Sequence, residues 1–114
     1  MGRNHLRHRR LPCVEKHKKA PYLAQFGKIG EEFGELGAEN ANLANKIRKG
    51  ERITRQDVER AYLEAFDISQ AAQQYMYIIH EQFGKPFCFT VDEMFEKGIN
   101  KNKVRGYYDK GDIE

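Results

Sequence analysis

Hydrophobic residues recur with a helical period in three segments of the chain. The first segment runs from Pro21, a residue suited to a first helical position, to about Arg48, and it stops at Gly50. Its apolar stripe consists of Phe26, Ile29, Phe33, Leu36, Leu43 and Ile47. Valine, isoleucine and threonine are sparse and never alternate with polar residues over a useful length, so the pattern predicts helices and no sheet.

Two further helices begin with capping signals. Thr54 is followed by Asp57, and Thr90 by Glu93, at the three-residue spacing of a capping box. Aspartate replaces the usual glutamate in the first of these signals. Each signal precedes an apolar pattern of helical period, so each marks the start of a helix.

The predicted helices are separated by short connections. The second helix is expected to end near Gly84 and the third before Gly106. The linker from Lys49 to Ile53 is short enough to make the first two long helices antiparallel neighbours. The fold prediction is therefore an all-α protein, a small helical bundle with long antiparallel helices.

A row of glycines lies along one edge of the first apolar stripe. It comprises Gly27, Gly30, Gly34 and Gly37. Each glycine disfavours a helix by about 1 kcal/mol relative to alanine, so a row of them suggests that another backbone or a ligand approaches closely. A long glycine-lined helix in a chain of 114 residues also offers more packing surface than one small bundle can bury. We therefore expect a homodimer or homotetramer to complete the bundle.

Composition limits the class of protein. A chain of 114 residues with 39% hydrophobic residues is expected to form one domain. No apolar run approaches the ~18 residues of a membrane span, so no membrane partner is predicted. Cys13 and Cys88 lie far apart in no metal-ligand spacing, and we interpret them as reduced thiols of a cytoplasmic protein.

Positive charge is concentrated at the N-terminus. Residues 1–20 carry seven lysines and arginines against one acid, whereas the whole chain has a formal net charge of +3. We therefore divide the chain into a basic arm, 1–20, and a helical domain, 21–114. The arm is either a solvated tail or a polyanion-binding segment for nucleotide phosphates or nucleic acid. A nucleic-acid-binding module is thus an alternative function, using Arg7, Arg9, Arg10, Lys16, Lys18 and Lys19.

Four carboxylates form two i, i+3 pairs on the first two helices. The pairs are Glu32 with Glu35 and Glu64 with Asp67, and the members of a pair point to the same side of their helix. The second pair shares its stripe with apolar residues, where an acid is costly unless it is neutralised. No lysine or arginine occurs between positions 61 and 81, so the neutralising charge must come from elsewhere.

The two acidic pairs are expected to meet. Glu35 lies 15 residues before Gly50 and Glu64 lies 14 after it, so an antiparallel hairpin places both pairs at one level. Four convergent carboxylates suit a hard divalent cation such as Mg²⁺. The alternative is that they are solvated acidic faces, which are common on helices.

Three motifs in order resemble one family. The EEFGE segment, the EAFD segment and the Lys101-Asn102-x-x-Arg105 segment followed by GYY resemble the all-α nucleoside triphosphate pyrophosphohydrolases of the MazG type. This superfamily includes dimeric dUTPases and dCTP pyrophosphatases, and the resemblance covers roughly residues 25–108. It implies the reaction (d)NTP + water → (d)NMP + pyrophosphate, with Mg²⁺ as cofactor, Mn²⁺ as a substitute, and more than one ion per site.

The resemblance also implies residue roles. The metal ligands would be Glu32, Glu35, Glu64 and Asp67. Catalytic contributions would come from Glu31 and Glu32, with Glu31 orienting water or helping to bind an additional ion. The triphosphate would be held by Lys101, Asn102 and Arg105.

The resemblance leaves the base of the substrate open, because members of the superfamily differ in substrate. Relatives act on dUTP, on dCTP, on several NTPs, or on purine deoxynucleotides. The last group includes phage enzymes of the MazZ type, which convert dGTP to dGMP. A compact chain with a basic arm is compatible with such a phage enzyme, so we favour purine deoxynucleotides, dGTP and then dATP. Candidates for stacking on the base, although packing is the commoner role for each, are Phe26, Phe33, Tyr75, Tyr107 and Tyr108.

Overall fold

The fold consists of three α-helices and short turns. A computed structural model describes residues 10–108. Helix α1 spans Tyr22–Arg48, α2 spans Arg55–Ile79 and α3 spans Val91–Val104. A 3₁₀ turn, Glu15–His17, precedes α1; a π-helical turn, His80–Gly84, and a 3₁₀ turn, Lys85–Phe87, join α2 to α3. No strand occurs between residues 10 and 108, which confirms the all-α prediction.

The predicted helix starts are confirmed by their hydrogen bonds. The Thr54 hydroxyl accepts from the Asp57 N–H at 3.1 Å, and the Asp57 carboxylate accepts from the Thr54 N–H at 2.9 Å. Thr90 and Glu93 form the same reciprocal pair at 3.0 and 2.8 Å. These bonds satisfy N–H groups that a helix start otherwise leaves unpaired. Only Pro21 differs slightly, because it caps α1 instead of forming its first residue.

Two helices end at glycines in the left-handed backbone region. Gly50 follows α1 with φ of +70°, and Gly106 follows α3 with φ of +76°. After α1, the N–H of Glu51 donates to the Lys46 carbonyl and the N–H of Gly50 to the Ile47 carbonyl. This is a Schellman termination, which suits glycine because it has no Cβ.

Helices α1 and α2 pair as an antiparallel hairpin. Moving away from the connecting turn, Asn42 bonds to Asp57 and Glu39 bonds to Arg60. Near the far end of the hairpin, the Gln25 amide donates to the backbone carbonyl of Ala71 at 2.9 Å. The predicted pairing is therefore confirmed, and polar contacts join the two helices at several levels.

Burial differs from the sequence prediction. Within the described residues, the buried hydrophobic side chains are Ala71, Tyr77 and Ile78, all on α2. Three members of the predicted α1 stripe are 65–68% exposed, namely Phe26, Phe33 and Ile47. The other three members, Ile29, Leu36 and Leu43, are half-buried. The glycine row also faces outward, since a Cβ built at any of its four members would have nothing within 4 Å.

A segment before α1 is fastened to α2 by hydrogen bonds. We call residues 10–20 the strap. The buried Gln74 amide both donates to the Val14 carbonyl and accepts from the Val14 N–H, at 3.1 and 2.7 Å. Gln70, Gln73 and Tyr77 bond to other backbone groups of the strap. The predicted boundary at residue 20 stays a prediction, and residues 1–9 of the basic arm, with Arg7 and Arg9, lie outside the described residues.

Two further features bear on the sequence predictions. Cys13 and Cys88 are both free thiols. Among the helices described between residues 10 and 108, none combines the length and apolar character needed to cross a bilayer.

Candidate metal centre

Three of the four predicted metal ligands converge. One carboxylate oxygen from each of Glu32, Glu35 and Glu64 lies within 4.8 Å of the other two. We call these residues the acidic trio. Glu32 and Glu35 are contributed by neighbouring turns of α1, and Glu64 reaches them from α2. The predicted meeting of the two helices at one level is thus confirmed for these three residues.

Two oxygens of the acidic trio are buried without partners. Glu32 is only 7% exposed, and its Oε2 atom accepts no hydrogen bond. Oε2 of the half-buried Glu64 is also buried and accepts no hydrogen bond. A buried acceptor left unpaired carries its full desolvation penalty, so native structures seldom leave one unsatisfied. A proton, a cation or an ordered water molecule would satisfy these oxygens.

The surroundings of Glu64 favour its protonated form. Burial raises the pKa of Glu64 above its usual value, and the negative charges of Glu35, Asp67 and Glu32 raise it further. Ionising all of these groups together therefore requires positive charge close by. The donor set fits a hard dication, because it contains only carboxylate oxygens. Hard divalent cations such as Mg²⁺ bind oxygen ligands of this kind.

Asp57 shows how the same helix neutralises a buried acid when the chain supplies the charge. Asp57 is fully buried, and its carboxylate accepts from Lys46 at 2.7 Å and from Arg60 at 2.6 Å. The Lys46 bond, together with the bond from the Thr54 N–H, holds the pKa of Asp57 well below its usual range. The sequence pattern predicts only a capping role for Asp57. Its cationic partner Arg60 lies at the i, i+3 spacing that would have indicated a pair.

One cation of the described chain contacts the acidic trio. Lys28 Nζ lies 3.2 Å from Glu32 Oε1, one turn away on α1. The hydrogen bond and charge of Glu32, with smaller contributions from Glu31 and Glu35, raise the pKa of Lys28. Lys28 is not among the residues predicted for the site, although its i, i+4 spacing to Glu32 is the usual spacing of a helical ion pair.

The remaining predicted acids lie at the edge of the site. Asp67 is exposed and is not part of the acidic trio, so its role as a metal ligand stays a prediction. It lies at the border of the α2 stripe, where it still lines a cavity together with Glu32 and raises the pKa of Glu64. Glu31 is also exposed.

The predicted triphosphate-binding residues lie near the end of α3. Lys101 and Arg105 are exposed and Asn102 is half-buried. No ion pair or hydrogen bond in the described part of the chain joins their side chains to the acidic trio. In one chain, the structure does not bring the two groups together.

Part of the basic arm is engaged within the fold. Arg10 pairs with Asp92 and also donates to the Tyr77 hydroxyl. Lys18 Nζ lies 3.5 Å from Glu81. These two residues of the proposed nucleic-acid-binding set therefore serve to hold the strap against the helices.

An apolar cavity lies at the open end of the hairpin, away from the acidic trio. Its volume is about 620 Å³, and its walls are aromatic and apolar, including Tyr22, Phe83 and Met94. Of the stacking candidates, Tyr75 lines this cavity, about 16 Å along the helix axis from Glu64. Phe26, Phe33 and Tyr107 are exposed, and Tyr108 is half-buried.

Comparisons of the chain with protein-family models, with curated proteins and with solved structures found no match.

Proposed function

We propose that this protein is a divalent-cation-dependent nucleoside triphosphate pyrophosphohydrolase, which converts a (d)NTP and water to a (d)NMP and pyrophosphate. The observation that carries this proposal is the pair of buried, unpartnered oxygens on Glu32 and Glu64, beside the carboxylate of Glu35. The motif resemblance supplies the reaction class, because carboxylate cages also serve proteins with other activities.

The acidic trio would hold Mg²⁺ or Mn²⁺, with Asp67 completing the ligand set at the rim and room for more than one ion. The bound cation neutralises phosphate charge and makes a water molecule more nucleophilic. Glu31 would orient the attacking water from the exposed side of α1. Glu32 would accept the proton that this water gives up, since carboxylates act as general bases when they are positioned close to a reacting water.

Lys101, Asn102 and Arg105 would contact the triphosphate, as the resemblance implies. Two cationic side chains and an amide suit a polyphosphate. Because these residues are not joined to the acidic trio in one chain, the contact would have to form when substrate binds or across a subunit boundary. For the base, the proposal is a purine deoxynucleotide, dGTP and then dATP, on the resemblance alone.

Self-association, as a homodimer or homotetramer in the cytoplasm, is part of the proposal. It is supported by the outward face of α1, where Leu23, Phe26 and Phe33 are 64–68% exposed beside the glycine row. At ~100° per residue these side chains and glycines share one side of the helix. A contiguous exposed apolar face of this kind is typical of a protein–protein interface.

The proposal is tested with a panel of all common NTPs and dNTPs in Mg²⁺ and in Mn²⁺, with pyrophosphate and monophosphate measured separately. Wild-type protein should release both in equal amounts, and Glu64→Gln should abolish the release. Glu59→Gln is the matched control, because Glu59 is an exposed residue of the same helix paired with Arg55. Wild-type turnover in Glu64→Gln would refute the site, and release of diphosphate and orthophosphate would refute the reaction.

A further inference from the structure

A second cavity opens directly beside the acidic trio. Its volume is about 280 Å³, and it lies between the strap and the two long helices. Glu32 and Asp67 contribute carboxylates to its lining, Val14 and His17 line it from the strap, and Lys28 also lines it. A ligand in this cavity could therefore contact Glu32, one member of the candidate metal centre, together with Lys28.

Lys28 neutralises the acidic trio only in part. Its ammonium contacts Glu32 Oε1, while Oε2 of the same carboxylate stays buried and unpaired, with the Glu32 side chain only 9% exposed. A single ammonium also leaves Glu35 and Glu64 without a cationic partner among the described residues. The Lys28 side chain is 53% exposed, so it is free to change rotamer.

A dication at the acidic trio would change the position that Lys28 prefers. A divalent ion bound to Glu32 replaces the charge that the ammonium supplies, and the two cations repel each other. The ammonium then gains more from an anion on the cavity side of the ion. A phosphate chain in that cavity needs such a cation, because Asp67 borders the same space.

We propose that Lys28 is a phosphate-binding residue, which pairs with Glu32 in the metal-free protein and moves to the substrate's phosphate chain, held in the cavity beside the strap, once a dication occupies the acidic trio. This inference rests on the proposed function, because it takes the metal and the triphosphate as given. Lysine suits the role, since it is a point charge on a flexible stem and a common phosphate ligand.

The proposal predicts that replacing Lys28 has opposite effects on the affinities for two ligands. Lys28→Met removes a positive charge that competes with the metal, so it should tighten Mn²⁺ binding in the absence of phosphate. The same variant should weaken binding of inorganic triphosphate to the Mg²⁺-loaded protein by about tenfold, the usual scale of one lost charge-assisted contact. If Lys28 only supported the fold, its replacement would weaken the binding of both ligands.

The test is calorimetric titration of the full chain with Mn²⁺ alone, and then with inorganic triphosphate in Mg²⁺. Lys28→Arg should retain most of the triphosphate affinity. Lys85→Met is the matched control, because Lys85 also pairs with a glutamate one turn away, Glu81, with a side chain 58% exposed. It should bind both ligands as the wild type does.

The outcomes separate the inference from the proposed function. In the first case, the wild type binds both Mn²⁺ and triphosphate. The role of Lys28 alone would then be overturned if Lys28→Met bound triphosphate as tightly as the wild type, or bound Mn²⁺ more weakly. A wild type that binds Mn²⁺ but no triphosphate would overturn the phosphate cavity. A wild type that binds no Mn²⁺ would overturn both the inference and the proposed metal centre.

Discussion

Asp57 and Glu64 lie two turns apart on the same side of α2, and only Asp57 is neutralised by the chain. Lys46 and Arg60 contact the carboxylate of Asp57, whereas an oxygen of Glu64 is buried with no partner. The pKa values of the two acids are accordingly shifted in opposite directions. This difference between the two acids is the basis of the proposed function, in which a cation from solution neutralises Glu64.

Glu64→Gln should stabilise the metal-free protein. Glutamine resembles the protonated carboxyl in shape and removes the repulsion among the carboxylates of the acidic trio. We expect a higher Tm than that of the wild type in EDTA at neutral pH, and loss of the rise in Tm that Mg²⁺ gives the wild type. Thermal melts in EDTA and in Mg²⁺ measure both effects.

In the same melts, Glu59→Gln should respond to Mg²⁺ as the wild type does. A lower Tm for Glu64→Gln in EDTA, together with an intact Mg²⁺ response, would show that Glu64 has a structural role and no cation to bind. Higher stability combined with lost activity is the trade-off expected of an active-site residue.

The pH dependence of stability should identify Glu64. Because its pKa is raised in the folded state, its stabilising contribution is full below the unfolded value near 4.5 and is lost as pH rises through the folded value. In EDTA, the Tm of the wild type should therefore fall relative to that of Glu64→Gln as pH rises from 4.5 toward neutrality. Asp57 acts oppositely, since its contribution is lost only as pH falls below the unfolded value of 3.8.

Magnesium should oppose the fall in the wild-type Tm at higher pH, because it competes with protons for the same carboxylates. The difference between the Tm values in Mg²⁺ and in EDTA should thus increase with pH. A difference that is constant from acid to neutral pH would contradict the assignment of the ion to an acid with a raised pKa.

Asp57→Asn should destabilise the fold without removing the metal response. The substitution leaves the cations of Lys46 and Arg60 facing an uncharged amide, and a broken buried ion pair is strongly destabilising. We expect Tm to fall by several degrees in EDTA and in Mg²⁺ alike, with the increment due to Mg²⁺ preserved. Loss of that increment in a variant that is still folded would mean that Asp57 belongs to the metal centre.

Gln74→Ala should detach the strap. The substitution removes two hydrogen bonds to the Val14 backbone from a side chain only 3% exposed. We expect a loss of about 1–3 kcal/mol in the free energy of unfolding, because buried partners are left unpaired. Urea unfolding measures the loss, and Gln56→Ala, at an exposed position of the same helix, is the control. Equal stability of the two variants would show that the strap is not held by these bonds.

Gly34→Ala should separate folding from self-association. A Cβ at Gly34 meets nothing within 4 Å in the chain, so alanine should stabilise the isolated chain by about 1 kcal/mol. The same methyl group would obstruct a close helix–helix contact in an oligomer. Sedimentation velocity should show a smaller species than the wild type, and wild-type association by this variant would exclude the glycine row from the interface.

Local rules explain what the sequence predicted correctly. The pairs Thr54–Asp57 and Thr90–Glu93 mark helix starts through contacts three residues apart, and the structure confirms both. The short linker then fixes the hairpin register, which brings Glu64 to the level of Glu35. These features depend on neighbours in sequence and on helix geometry alone.

Contacts between distant segments were not predictable in this way. The bond between Gln74 and Val14 joins residues 60 apart, and a side-chain amide bound to a remote backbone leaves no periodic pattern. The apolar period of α1 identified a face that needs to be covered. It did not indicate that Phe26 and Phe33 stay exposed in one chain, because periodicity does not distinguish a core from an interface.

The most direct test of the metal centre is a titration of Mn²⁺ into the full chain at neutral pH, with free Mn²⁺ followed by electron paramagnetic resonance. The wild type and Glu59→Gln should deplete the free-ion signal with the same affinity, and Glu64→Gln should leave it undepleted at the same concentrations. Equal depletion by the wild type and Glu64→Gln, or none by the wild type, would contradict a dication bound at Glu32, Glu35 and Glu64.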